Sequence, residues 1–102
     1  MTLEELRLSR LVQGILVRNY VDTQKLDVDV INRTVYLQGE FVLYDTTNEK
    51  DPVLRAAAER RALLIIEREI RRLSSADYVI FQLKNWQRAG ARWMRRHPGG
   101  LG

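Results

Sequence analysis

Residues 25–41 have the sequence KLDVDVINRTVYLQGEF, and this stretch decides the fold. Apolar and polar side chains alternate with a period of two on both sides of Asn32 and Arg33, which is typical of two strands with one buried face. A tight turn at those two residues places Val30 opposite Val35, and the apolar faces of both strands then coincide. A shift of one residue would expose every apolar side chain, so the sequence predicts a hairpin in this register. Because a type I′ turn favours glycine where Arg33 stands, a wider loop in the same register is an open alternative.

A helix is predicted before this hairpin, from Thr2 to Tyr20 or Val21. Thr2 and Glu5 have the spacing of a capping box, in which each side chain accepts a hydrogen bond from the backbone of the other. Gly14 lowers the helix propensity in the middle of this segment, and we expect it to mark close approach of another backbone. The residues predicted to pack on the sheet recur at helical spacing: Leu8, Leu11, Val12, Ile15 and Tyr20.

A second helix is predicted from Pro52 to Leu73, with Asp51 as its N-cap. Its predicted core stripe consists of Ala58, Ala62, Ile66, Ile70 and Leu73, with Leu63 and Ile65 on the flanks. Residues 78–83, YVIFQL, are rich in β-branched and aromatic types and are predicted to form a third strand.

The order helix, strand, strand, helix, strand predicts an α+β fold, an αββαβ two-layer sandwich with two helices packed on one face of a three-stranded sheet. We expect residues 1–85 to form one domain. Residues 86–102 would be a basic C-terminal extension rich in tryptophan and arginine, with a disordered end.

Composition excludes several classes of protein. The chain has 102 residues and no cysteine, which rules out disulfides and thiolate metal sites. No stretch reaches the roughly 20 apolar residues that span a bilayer, and the N-terminus has acidic residues where a secretory signal has basic ones. A cytoplasmic location is expected for the sequence as it stands, and a periplasmic one if a leader has been removed.

Charge is distributed unevenly along the chain. Residues 1–54 contain six basic and nine acidic side chains, whereas residues 55–102 contain eleven basic and four acidic ones. One side of the predicted second helix combines arginines with an apolar residue: Arg60, Arg61, Leu64, Arg68, Arg71 and Arg72. Such a face suits an acidic protein, anionic lipid or nucleic acid, although an ordinary solvated helix face would have the same pattern.

The segment after Lys84 is a second candidate contact surface. Its aromatic and basic residues recur at spacings that a helix would align: Trp86, Arg88, Arg92, Trp93, Arg95 and Arg96. A helix of this kind could lie at a membrane interface or bind a partner chain, and less readily nucleic acid. The alternative is a short helix that packs its tryptophans against the domain.

Catalysis has little support in the sequence, and we predict neither an enzyme nor a cofactor or metal site. The single histidine, His97, has no nucleophile pattern near it. Asp27, Asp29 and Glu40 share the exposed face of the hairpin, but solvated carboxylates explain them better than a cation site, which needs further oxygen ligands.

The order of elements and several residues resemble the BON domain, a small bacterial module. Val35, Leu37 and Gly39 match the valine, leucine and glycine of its second strand, and the similarity extends over residues 8–85. Two features depart from the family. Ala76-Asp77-Tyr78 stands where a Gly-Val pair usually precedes the last strand, and the loop from residue 44 to residue 50 is longer.

The resemblance implies a non-enzymatic binding or assembly module, often one that contacts phospholipid. We therefore expect protein–protein association, including self-association, through the basic helix face and the C-terminal segment. Binding to anionic phospholipid is the alternative, and RNA binding is less favoured because the Gly-x-x-Gly loop of KH domains is absent from the sequence.

Overall fold

The structure is a computed structural model that describes residues 2–44 and 50–96. It contains two helices, α1 (Leu3–Arg18) and α2 (Pro52–Arg71), and five strands. The strands are β1 (Leu26–Ile31), β2 (Thr34–Gly39), β3 (Tyr78–Leu83), β4 (Trp86–Ala89) and β5 (Arg92–Arg95). The predicted α+β fold is confirmed, and a second small sheet is added to it.

The β1–β2 hairpin has the predicted register and the tight turn. Val30 pairs with Val35, and the two turn residues have φ angles of 49° at Asn32 and 66° at Arg33. A left-handed conformation is unfavourable for arginine. The Arg33 side chain offsets this cost, because it donates two hydrogen bonds of 3.1 Å to the Asp77 carboxylate and one of 2.8 Å to the Ser74 carbonyl.

The three-stranded sheet has the order β1-β2-β3, with β1 antiparallel and β3 parallel to β2. Its inner face is covered by both helices. The core contains residues from each of these elements: Leu8, Val12, Ile15, Leu16, Leu26, Val30, Val35, Leu37, Leu63, Ile66 and Ile70. The outer face of the sheet has no helix over it within the described residues and presents side chains such as Asp27, Gln38 and Ile80.

The first helix has the predicted capping box and ends at Arg18, two or three residues earlier than predicted. Glu5 accepts the Thr2 N–H at 2.8 Å and also the Asn32 N–H at 3.2 Å, and these backbone hydrogen bonds hold the pKa of its carboxyl below the ordinary value. Tyr20 follows the helix with a φ of 63°, so its side chain leaves the buried stripe and is exposed. The expectation for Gly14 is wrong, since a Cβ there would meet no heavy atom of the described chain within 4 Å.

The second helix buries the predicted stripe at Ala62, Ile66 and Ile70, and its buried face extends further to one side than predicted. Two glutamates outside the predicted stripe, Glu59 and Glu67, are buried beside Leu63 and Ile66. Ile65, predicted on the edge of the core, is exposed. The physical reason is that a third structural unit packs against α2 and covers the side on which the glutamates lie.

That unit is an antiparallel hairpin formed by β4 and β5, so the predicted C-terminal helix is wrong. Gly90 is the first of two turn residues and has a φ of 62°, and this is the position that type II′ turns reserve for glycine. The residues after 96, including His97 and the end expected to be disordered, lie outside the described residues.

Candidate functional site

The β4–β5 hairpin presents a mixed aromatic and cationic face to α2. Trp86 pairs with Arg95 and Arg88 pairs with Trp93, so two tryptophans and two arginines alternate diagonally on one side. Each guanidinium lies over the ring of its cross-strand partner, with Arg95 5.9 Å from the Trp86 centroid and Arg88 5.3 Å from that of Trp93. Such cation–π contacts add to the burial of the rings.

Both tryptophans are core residues. Trp86 is 1% and Trp93 2% exposed, and Trp93 meets the ring of Phe81 edge to face at a centroid distance of 4.9 Å. They were predicted to contact a partner, but in this arrangement their rings are enclosed by the protein's own α2, β3 and hairpin. Trp86 and Trp93 are therefore not accessible to a partner in this arrangement.

Two buried carboxylates on α2 accept hydrogen bonds from the hairpin. Glu59 accepts hydrogen bonds from Trp86 Nε1 at 3.1 Å and from Arg95 Nη1 at 2.9 Å. Glu67 accepts from Arg88 and, at 3.1 Å, from Arg71 one turn later in the same helix. A buried glutamate near each end of the interface thus joins α2 to the hairpin through hydrogen bonds.

The two glutamates have pKa values shifted in opposite directions. Burial raises the pKa of Glu59 above the ordinary value, and the hydrogen bonds from Trp86 and Arg95 offset this only in part. Burial also acts to raise the pKa of Glu67, but hydrogen bonds from Arg88 and Arg71 together outweigh it and lower that pKa. Arg95 and Arg55 also favour the ionised form of Glu59, but Glu59 is the more deeply buried of the two glutamates. Glu67 accepts hydrogen bonds from two arginines, and an opposite charge favours the ionised carboxyl.

Further arginines form contacts where the hairpin packs on α2. Arg60 Nε donates to the Trp93 carbonyl at 3.2 Å and its guanidinium lies 5.7 Å from the Trp86 centroid, while Arg96 Nε donates to the Trp86 carbonyl at 3.3 Å. Five of the arginines predicted to bind a partner therefore have contacts within the protein: Arg60, Arg71, Arg88, Arg95 and Arg96. Arg71 pairs with Glu67 of its own helix, but the contacts of Arg60, Arg88 and Arg95 could not be recognised from the sequence, because their acceptors lie 21 to 36 residues away in the chain.

The outer face of α2 is different. Arg61, Arg68 and Arg72 are exposed, and within residues 2–44 and 50–96 none of them forms an ion pair or a side-chain hydrogen bond. Their spacing of seven and four residues places them in one row along the helix. Between them lie Leu64 and Ile65, which are 38% and 39% exposed.

This row continues toward the start of α2 through Leu54 and Val53, which are also exposed. We call the exposed set the α2 outer face: Val53, Leu54, Arg61, Leu64, Ile65, Arg68 and Arg72. Arg92, the remaining predicted contact residue, is exposed in the hairpin and has no ion pair with the described residues. It lies outside the α2 outer face.

A cleft of about 620 Å³ lies where the start of α1 meets the β1–β2 turn and the loop after α2. Its walls include Glu5, Leu11, Arg33 and Ser74. Arg33 is held by Asp77 and Ser74, and Glu5 by the cap of α1, so these two charged groups of the cleft have partners within the fold. The described residues contain no group of three His, Cys, Asp or Glu side chains placed to hold a metal ion.

Comparison with protein-family models, curated proteins and solved structures finds no match to this chain. No helix among the described residues is long and apolar enough to cross a membrane.

Proposed function

We propose that this protein is a non-enzymatic binding module, similar in design to a BON domain, that binds an acidic partner protein on the α2 outer face. The observation that supports this most strongly is the division of the arginines into two groups. One group joins the hairpin to the helix through Glu59, Glu67 and backbone carbonyls. The other, on α2, has charge that is available to a partner.

An acidic amphipathic segment has the chemistry that complements this surface. Its apolar side chains would pack on Leu64 and Ile65, which are exposed and lie outside the hydrophobic core. Its carboxylates would pair with Arg61, Arg68 and Arg72, and the planar guanidinium suits such bidentate pairing. Recognition through the apolar side of an amphipathic helix is common among protein complexes.

Anionic phospholipid is a second candidate. It is favoured by Val53 and Leu54, which are exposed at the start of α2 and could enter the boundary of the acyl chains while the arginines contact phosphates. The hairpin tryptophans, which would strengthen such an anchor, are buried. Fewer apolar side chains are therefore available to enter the lipid than the sequence predicts.

An amide chemical-shift titration of the labelled protein tests the proposal. The titrants are a synthetic helical peptide with leucine on one face and glutamate on its flanks, the same peptide with lysine for glutamate, anionic phosphatidylglycerol bicelles, and neutral phosphatidylcholine bicelles. We expect shifts along the α2 outer face with the glutamate peptide alone. Shifts with anionic bicelles alone would select the lipid candidate, and no shifts with any titrant would contradict both.

A matched pair of variants identifies the surface. Arg61→Glu with Arg68→Glu reverses two charges of the α2 outer face and should abolish the shifts. Arg7→Glu with Arg10→Glu makes the same change at two exposed positions on α1 and should leave them unchanged. Equal loss in both double variants would mean that net charge, and not this surface, drives binding.

A further inference from the structure

The two edges of the three-stranded sheet have different chemistry. β1 forms one edge and contains two aspartates, Asp27 and Asp29, in its six residues. β3 forms the other edge, and its six residues, YVIFQL, include no charge, no proline and no glycine. Charged side chains and proline are among the devices by which proteins prevent an exposed edge from pairing with another strand.

The free side of β3 has no hydrogen-bonded strand within the described residues. The chain continues into β4 and β5, but these form a separate sheet of two strands. The inward side chains of β3 also reflect an open edge: Val79 and Phe81 are only partly buried, whereas their neighbours on β2, Val35 and Leu37, are fully buried. Backbone donors and acceptors on the free side are thus available to a strand.

We propose that β3 pairs antiparallel with β3 of a second copy of this chain, so that two three-stranded sheets join into one sheet of six strands. A twofold axis at Ile80 places Ile80 opposite its own copy and Val79 opposite the Phe81 of that copy. Tyr78 then lies opposite the Gln82 of the second copy. In each pair the two side chains share a face of the sheet, as antiparallel pairing requires.

Charge explains why the second copy pairs at this edge and not at the other. The equivalent twofold pairing of β1 about Val28 would place Asp27 opposite the Asp29 of the second copy, twice, and like charges directly opposite are destabilising. The β3 pairing brings no two charges together. A twofold interface uses the same patch on both copies. β3 meets this requirement, because each of its side chains lies opposite one on the same face and no charges meet.

Sedimentation velocity over a wide range of protein concentration, up to near-millimolar, tests this pairing. We expect the wild type to shift from monomer to dimer as concentration rises. Ile80→Lys should remain monomeric, because it places two ammonium groups opposite each other at the axis. Ile31→Lys is the matched control: Ile31 is similarly exposed on an edge strand of the same sheet, and this variant should dimerise like the wild type.

Mixing two variants provides a second, independent measurement. Ile80→Glu alone should also be monomeric, but an equimolar mixture with Ile80→Lys should dimerise, because opposite charges then meet at the axis. Circular dichroism of each variant checks that the domain is folded. If Ile80→Lys unfolds, Tyr78→Lys with Gln82→Lys replaces it, since these exposed positions face each other in the pairing and would bring ammonium groups together.

Three results would overturn the proposal: a wild type that stays monomeric at every concentration, an Ile80→Lys variant that dimerises as the wild type does, or a mixture that shows no rescue. The Arg61→Glu and Arg68→Glu variant should dimerise normally, since the α2 outer face lies in the helix layer and takes no part in the strand pairing. Loss of dimer in that variant alone would also contradict the β3 interface.

Discussion

Replacing each buried glutamate of α2 by glutamine should change stability in different ways, although the two residues lie on the same helix face and both bind the hairpin. Glu67 is stabilised in its ionised form by Arg88 and Arg71, and its pKa is lowered. Glu59 is ionised at a net cost, because burial raises its pKa despite the contact with Arg95. We therefore expect Glu67→Gln to destabilise the protein at neutral pH, and Glu59→Gln to leave its stability unchanged or slightly higher.

The magnitude for Glu67 follows from its contacts. A hydrogen bond to a charged group contributes about 1.5–3 kcal/mol. The side chains of Arg71 and Arg88 are 62% and 38% exposed, so water screens both pairs, and glutamine keeps one acceptor oxygen. We therefore take the lower value for a single bond, about 1.5 kcal/mol. In a domain of this size that loss lowers the Tm by about 6–12 °C.

Thermal and urea unfolding at several pH values measure these differences. The stabilisation by Glu67 is present above the ordinary glutamate pKa, about 4.3, and is lost as the pH falls through its lower folded-state pKa. Wild type and Glu67→Gln should therefore converge in acid. For Glu59 the sign is reversed: the cost of ionisation is present above its raised folded-state pKa and disappears as the pH falls toward about 4.3.

The result that would refute this reasoning is a loss at neutral pH for Glu59→Gln as large as that for Glu67→Gln. It would mean that the pair with Arg95 outweighs burial at Glu59. Trp86 Nε1 can donate to the glutamine oxygen as it does to the carboxylate, so loss of that hydrogen bond would not explain the result.

Three further predictions concern stability and are measured by urea unfolding. Gly39→Ala should destabilise by more than about 2 kcal/mol, because Gly39 has a φ of 124° and a Cβ there would lie 2.3 Å from the Lys25 carbonyl oxygen; a change below 0.5 kcal/mol would contradict this reasoning. Gly14→Ala should stabilise by about 0.5–1 kcal/mol, since nothing in the described chain obstructs the new methyl group, and a loss of stability would reveal a contact there. Trp93→Ala should cost about 3–5 kcal/mol while Leu64→Asp stays within about 0.5 kcal/mol, and the reverse order would place Leu64 in the core and Trp93 at the surface.

The β1–β2 hairpin could be predicted in detail because its information is local. The period-two alternation and the turn between Val30 and Val35 determine which side chains share a face, and a shift in register would expose all of them. Gly39 is a further local signal, since the strand ends in a conformation that other residues adopt poorly. A distant contribution comes at the turn itself, where Asp77 and Ser74 hold the Arg33 side chain.

The C-terminal hairpin could not be recognised in the same way. The spacing of Trp86, Gly90 and Trp93 fits one side of a helix as well as two short strands around a glycine turn. What decides between them is long-range: the arginines of the hairpin meet Glu59 and Glu67, which lie 36 and 21 residues earlier in the chain. When the α2 segment is considered alone, Glu59 and Glu67 look like ordinary exposed polar positions of a helix.

The same long-range contacts change how the basic half of the chain should be interpreted. Eleven basic residues after residue 54 indicate a broad cationic surface, but the hairpin uses several of their charges to bury two tryptophans against α2. Net charge therefore overstates the charge that a partner can reach, and the reachable part is concentrated on α2.

The α2 outer face and the β3 edge lie on different parts of the molecule, so one chain can use both. A twofold axis perpendicular to the sheet keeps the helix layers of both copies on the same side of the joined sheet. Two α2 outer faces would then be presented in the same direction. Binding of the first to an acidic partner with two sites raises the effective concentration of the second, and this increases the overall affinity without any new contact. If both proposals hold, a weak surface built from three arginines and a few exposed apolar side chains would favour partners that offer two such sites at the spacing of the dimer.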